Sequence, residues 1–135
     1  MTILLDTQLL LWSQVEPHRL PQSLIDSIET ASEPPFFSIV SIWEVVIKSA
    51  LNRPDFRHDP ERLRATLLRL GWLELELTGN HVLAVANLTG KHGDPFDRAL
   101  VAQAKVEGMD FVTTDKVLTD YGPHVRLVKG RTVKP

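Results

Sequence analysis

Hydrophobic and polar positions change period along this chain, and each change marks an element. Ile3, Leu4 and Leu5 form a continuous apolar run without Gly or Pro, closed by Asp6 and Thr7. So short a run reads as a strand buried on both faces, the pattern of a parallel sheet covered by helices on either side. QLLLWSQV follows as a short helix, Pro17 and Pro21 bracket a loop, and PQSLIDSIETA is a second helix with Leu24, Ile25 and Ile28 on one face. Pro34 and Pro35 then break the chain. A second strand is predicted over Phe36 to Val40, followed by a helix from Ser41, SIWEVVIKSAL, in which Ser41 and Glu44 have capping-box spacing. Residues 52–60 are a polar loop, and Leu63, Leu67, Leu68 and Leu70 recur at helical spacing from Pro60 to Leu70.

WLELEL alternates, with Leu73, Leu75 and Leu77 on one face and Glu74 and Glu76 on the other, as in a half-exposed strand near a sheet edge. A helix capped by Thr78 or Asn80 runs to about Leu88, and DPFDRALVAQAKVEG forms another that ends at Gly108. Phe111 to Thr113 is a buried strand, KVLTDYG a short helix, and Val125 to Val128 a last strand. The basic segment 129–135 is expected to be a loose tail. Alternating strands and helices imply a parallel sheet with helical crossovers, hence an α/β fold with residues 1–135 as one domain. No Gly-rich turn follows the first strand, which argues against a dinucleotide fold or a phosphate loop.

Composition narrows the chemistry. The 135 residues suit a single domain, and 43% apolar content supplies a core. Fifteen Lys and Arg against 17 Asp and Glu leave a formal charge of -2, unlike a protein that coats nucleic acid, though compatible with a basic rim around an acidic centre. The absence of Cys excludes disulfides, thiolate metal sites and Cys nucleophiles. No apolar stretch approaches the roughly 18 residues of a membrane span. No signal-peptide pattern opens the chain, so a soluble cytoplasmic protein without membrane contact is expected.

Four acidic residues occupy equivalent places. Asp6 and Asp115 follow strands, while Glu44 and Asp97 lie in the first turns of predicted helices. If those strands are parallel neighbours, their carboxyl ends share one edge, where ligands of open α/β sheets bind. Each residue also has a local explanation: Glu44 in a capping box, Asp94 as a helix cap with Pro95 and Asp97 in the first turn, Asp115 as a turn residue. The joint pattern outweighs these. Asp97 stands above Leu100, Val101 and Ala104, at spacings of 3, 4 and 7, and therefore heads the buried face of its helix; Glu44 stands similarly above Ile47 and Leu51. Buried, mutually repelling carboxylates need a counter-charge, and a hard divalent cation, Mg²⁺ or Mn²⁺, answers that need with oxygen ligands. Its retained water can become a nucleophile toward a phosphodiester.

The histidines offer no better centre: no HExxH or paired-His spacing occurs, His81 starts a helix and reads as surface, and only His92 stands near the acidic positions. Ser38 and Ser41 lack a His and acid arrangement for nucleophilic catalysis. Lys48 can pair with Glu44 one turn away, on the surface or at the site. Arg98, Lys116, Lys91, Arg53 and Arg57 complete a candidate rim for a polyanion.

Taken together, LLDT, SIWEVVIK, HGDPFDRALVAQA and FVTTD resemble PIN-domain proteins, specifically the VapC-type toxins of bacterial toxin–antitoxin modules, over about residues 2–128. The resemblance implies a three-layer α/β/α sandwich around a small parallel sheet, and a Mg²⁺- or Mn²⁺-dependent ribonuclease. It places the acidic quartet on Asp6, Glu44, Asp97 and Asp115, with Asp94 accessory and the hydroxyls of Thr7 and Thr113 beside the carboxylates. It further implies a homodimer and a cognate antitoxin whose C-terminal segment lies over the groove and through which alone DNA is contacted. LNRPDF departs from the glycine-containing turn of many relatives. The leading expectation is RNA hydrolysis by metal-activated water, with Asp6, Asp97 and Glu44 holding the main ion and Asp115 completing the site or binding a second one. The alternatives are another metal-dependent nuclease or phosphoesterase acting on DNA, and an idle PIN-like module that binds protein or RNA.

Overall fold

Five strands, β1 (Ile3–Leu5), β2 (Phe36–Ser38), β3 (Leu73–Leu75), β4 (Asp110–Thr113) and β5 (Val125–Leu127), pair in the order β3-β2-β1-β4-β5, every pair parallel. The structure is a computed structural model and describes residues 2–90 and 94–131. Parallel neighbours cannot be joined by tight hairpins, so helices return the chain. Between β1 and β2 these are α1 (Thr7–Val15) and α2 (Gln22–Thr30); between β2 and β3, α3 (Ile39–Ala50) and α4 (Pro60–Arg69); between β3 and β4, α5 (Gly79–Val85) and α6 (Pro95–Glu107). A 3-10 segment, Lys116–Tyr121, links β4 to β5.

Strand side chains alternate between two cores. Ile3 and Leu5 pack with Leu9, Leu20, Leu24 and Val112 on one face of the sheet, while Leu4 and Phe111 pack with Leu100, Val101 and Ala104 on the other. The expected three-layer α/β/α sandwich is therefore what forms. Leu4, Leu5, Phe37 and Phe111 are fully buried, and each such side chain contributes on the order of 1.5–3 kcal/mol. β3 is an edge strand, as its alternation predicts; Arg64 forks across Glu74 on its outer side. Among the described residues no helix is long and apolar enough to cross a membrane.

The sequence places the second strand end at Val40 and the next cap at Ser41, but β2 stops at Ser38 and Ser38 is the cap, accepting from the Val40 N–H at 3.0 Å. The reason is tertiary. The Ser38 hydroxyl donates to Gln103 Oε1 at 2.5 Å, and Gln103 Nε2 donates to the Glu76 carbonyl at 3.1 Å, so a buried network from α6 fixes the turn three residues early. Replacing Gln103 with Leu leaves Ser38 and the Glu76 carbonyl without that partner. The expected loss is about 1–3 kcal/mol, measured as a lower urea midpoint with unchanged m-value; an unmoved midpoint would show that the network is dispensable.

Two further expectations are corrected. His81 is buried rather than superficial, because both ring nitrogens are satisfied: Nδ1 accepts from the Thr78 N–H at 3.0 Å in a capping box, and Nε2 lies 2.8 Å from Glu107 Oε2. The expected tail, 129–135, is pinned as far as Arg131, whose N–H donates to the Arg19 carbonyl at 2.9 Å and whose Nε donates to the Leu20 carbonyl at 2.6 Å, and its residues 132–135 lie outside the described residues. Gly130 lies so close to Trp12 that a Cβ there would come within 2.5 Å of the indole.

Candidate active site

β1 is the point from which the strand order runs in both directions, and a crevice opens at the carboxyl ends beside it. Asp6, the first residue past β1, caps α1 by accepting from the Leu9 N–H at 2.8 Å. Its other oxygen accepts from Thr113 Oγ1 at 2.6 Å and from the Thr114 N–H at 3.3 Å, which ties the end of β1 to the end of β4. Burial raises the Asp6 carboxyl above its ordinary value, the three donors oppose that rise, and the charge of Glu44 adds to it.

Glu44 reaches the same crevice from α3. Because the helix starts at Ile39, Glu44 lies beyond its first turn and completes no capping box with Ser41. It is buried at 5% exposure and held from two sides. Thr7 Oγ1 donates to Oε1 at 2.7 Å and lies 2.9 Å from the Ser41 hydroxyl, while Lys48 Nζ pairs with Oε2. The Lys48 ammonium also stands 3.9 Å from Asp94 Oδ2. Partial burial works to lower the pKa of Lys48, but the hydrogen bond and charge of Glu44, with the charges of Asp94 and Asp97, outweigh it and hold the pKa raised.

Asp94 caps α6 and accepts from the Asp97 N–H at 2.8 Å. Asp97, in the first turn, has its carboxyl pushed up to about 7 by burial and then by the negative charges of Asp94, Glu44 and Asp6. Asp115 is exposed; it caps the 3-10 segment through the Val117 N–H at 3.0 Å, and its own N–H donates to Thr113 Oγ1 at 3.0 Å. Thr113 therefore links the turn at Asp115 to the Asp6 carboxylate.

These groups converge on a hollow of about 240 Å³ lined by Asp6, Glu44, Asp94, Asp97 and Asp115 with Thr7 and Lys48. Gln8, Leu11, Phe56 and Thr114 also line it and went unnoticed in the sequence; only Thr114, inside FVTTD, carried a positional signal. Two expected rim bases are elsewhere. Arg98 donates to the Gly90 carbonyl at 2.9 Å and to Tyr121 Oη at 2.6 Å, and it lies over the Tyr121 ring. The residue after Asp97 in a helix is rotated by about 100° and so leaves the crevice. Lys116 is exposed beside Asp115, outside the lining. Lys91 and His92 lie outside the described residues.

Among the described residues, no three acidic or histidine side chains are drawn together into a ready-made metal cage. The donor set nevertheless fits a hard cation. It consists of carboxylates and hydroxyls, and Mg²⁺ is usually held by only one or two carboxylates with several waters retained. Burial first, and then the neighbouring carboxylates, raise the Asp97 carboxyl, and a bound cation would offset both effects.

A parallel α/β/α sandwich with a carboxylate-lined crevice where its strand order turns belongs to a class of domain suited to hard-cation and phosphate chemistry. Residues 3–122 match the PIN domain model, and the chain belongs to that family. Its fold is similar to that of VapBC2 from Rickettsia felis, in a structure bound to a DNA fragment from the promoter: 16% identity, TM-score 0.68, 97% of this chain and 100% of that one. VapBC-1 from nontypeable Haemophilus influenzae is alike at 15% identity and TM-score 0.67, over 96% of this chain and 98% of that one. FitAcB from Neisseria gonorrhoeae matches at 19% identity and TM-score 0.56, over 84% and 87%. No curated protein sequence matches the chain.

Proposed function

We propose that this PIN-domain protein is a divalent-metal-dependent endoribonuclease and the toxin of a toxin–antitoxin pair. The observation that carries the reading is the convergence of Asp6, Glu44, Asp94, Asp97 and Asp115 on one hollow from separate parts of the fold. The likeness in fold to VapBC and FitAcB structures supports the toxin assignment. Asp6, Glu44, Asp97 and Asp115 form the acidic set that receives Mg²⁺ or Mn²⁺. When bound, the ion supplies an activated water and charge neutralisation at the phosphate. Thr113 and the Leu9 and Thr114 N–H groups hold Asp6 in one orientation, and Thr7 does the same for Glu44. Asp94 positions the start of α6, and thereby Asp97.

Substrate binding is supported by a second feature. A groove of about 580 Å³ between α1 and α4 shares Leu11 with the acidic hollow and is lined by Arg57, Arg62 and Arg69. None of these arginines has an ion-pair partner among the described residues. They are placed to hold backbone phosphates of single-stranded or structured RNA while the scissile bond lies at the carboxylates. The protein acts in the cytoplasm as a homodimer. It is silenced by an antitoxin segment over the crevice, where Arg or Lys suits the carboxylates, and DNA is contacted through the antitoxin alone.

Incubation with labelled RNA and DNA of matched sequence plus Mn²⁺ tests the activity. RNA fragments with intact DNA are expected; DNA cleavage would favour the phosphoesterase reading, and no fragments from either would leave a binding module. Changing Arg57, Arg62 and Arg69 to Gln is expected to weaken RNA binding for all sequences and to lower the salt slope by about 1 for each phosphate no longer neutralised. Unchanged affinity and slope would remove this groove from the substrate path.

A further inference from the structure

The feature left unexplained by an acidic metal centre is the cation already inside it. Lys48 is one turn from Glu44, a spacing that on a surface helix makes only a weak, solvated ion pair. Here the carboxylate partner is buried, and the ammonium reaches beyond its own helix to Asp94 at the start of α6. Asp97, in the first turn of α6, lines the same hollow, so the ammonium stands among three acids from α3 and α6. Both Glu44 oxygens are engaged, one by Thr7 and one by Lys48. Among the described residues, the acids of the hollow without an ion pair are Asp6, Asp97 and Asp115, and of these Asp6 and Asp97 are the two withdrawn from solvent.

Nucleases with two divalent ions set them about 3.5–4 Å apart and use the pair to hold both sides of the reacting phosphate. We propose that in this protein the Lys48 ammonium fills the place of the second ion. This narrows the four-acid set proposed above: Glu44 serves Lys48, and the protein takes up one divalent cation, with Asp6 and Asp97 as its principal carboxylates. Lys48 is thus a positioning residue and sets the metal stoichiometry. A monovalent ammonium on the Glu44 side also leaves a standing positive charge for a phosphate oxygen before any metal arrives. The inference rests on the metal-dependent reading of the crevice and refines it.

Mn²⁺ titration of the full chain by calorimetry and by electron paramagnetic resonance, without RNA, tests it. Wild-type protein is expected to bind one Mn²⁺ with an isolated-ion spectrum. Lys48→Met, which opens Glu44 and Asp94 to a cation, is expected to bind two and to show spin coupling between them, whereas Lys48→Arg keeps one. If Lys48→Met fails to fold because it strands a buried charge, Lys48→Gln retains a hydrogen-bond donor for Glu44 and carries the same expectation of two. Two ions in the wild type, or one ion with unchanged affinity in a folded Lys48→Met or Lys48→Gln protein, would overturn the proposal. Parallel RNA cleavage separates the failures: a wild type that cleaves with two ions sinks only the Lys48 role, and one that binds no Mn²⁺ sinks the metal-dependent reading as well.

Discussion

Asp97→Asn is expected to lower RNA cleavage by at least about 100-fold, the scale of removing one charge-stabilising group from a reacting centre, while leaving the metal-free fold at least as stable as wild type. The amide keeps the shape of the side chain but supplies no charged oxygen to a hard cation. The cap of α6 survives, because Asp94 accepts from the backbone N–H of residue 97, which the substitution keeps. Burial and the neighbouring Asp94, Glu44 and Asp6 push the Asp97 carboxyl up to about 7. Raised above its unfolded value, the group binds its proton more tightly in the folded protein. Its contribution to stability is therefore fully present below the ordinary value of 3.8 and is lost as pH climbs to about 7. Metal-free wild type should lose melting temperature across that interval, and Asp97→Asn should flatten the loss. Adding Mn²⁺ at about 100 times its Kd should return about 2.7 kcal/mol to the wild type and little to the mutant. If Asp97 were only a helix-terminus charge, its neutralisation would instead cost about 0.3–1 kcal/mol with cleavage retained. Asp94→Asn is the companion measurement: Asn caps as well as Asp, so stability should hold and cleavage should fall modestly. Near-wild-type cleavage by Asp97→Asn would remove the site assignment.

Chelation should abolish cleavage completely, and Mg²⁺ or Mn²⁺ should restore it. Among the described residues, four of the five carboxylates lining the hollow, Asp6, Glu44, Asp94 and Asp97, interact electrostatically, and Lys48 is the single cation of the lining. A phosphodiester brought to that hollow meets like charge unless a divalent cation stands between. The chain has no Cys to offer covalent chemistry, and Ser38 is committed to Gln103. Cleavage is followed on labelled RNA after exhaustive treatment with EDTA, then after removal of the chelator and addition of metal. Undiminished turnover in the metal-stripped protein would end the mechanism, whatever the geometry of the crevice.

The order of strands and helices, the edge position of Leu73–Leu75 and the caps at Asp94 and Asp115 follow from local rules, because a period of two or 3.6 and a side chain a few residues from a free N–H are properties of neighbouring residues. Asp6, Asp97 and Asp115 were legible for the same reason, since each stands near the end of an element whose direction the parallel alternation sets, whereas Glu44 lies beyond the first turn of α3 because the helix starts at Ile39. What the local pattern could not contain is which way a polar side chain turns when its partner comes from a distant segment. Ser38 caps α3 in place of Ser41 because Gln103 lies beneath it. Arg98 leaves the crevice for Tyr121, and His81 is buried because Glu107 meets its second nitrogen. The groove that holds Arg57, Arg62 and Arg69 gains its second wall from Leu11, Gln14 and Val15 of α1. Lys48 becomes part of the acidic centre, not a surface pair, only when the start of α6 arrives beside α3. Backbone geometry is written in short-range sequence, whereas the pairing of charges depends on burial, and burial exists only after the layers have closed.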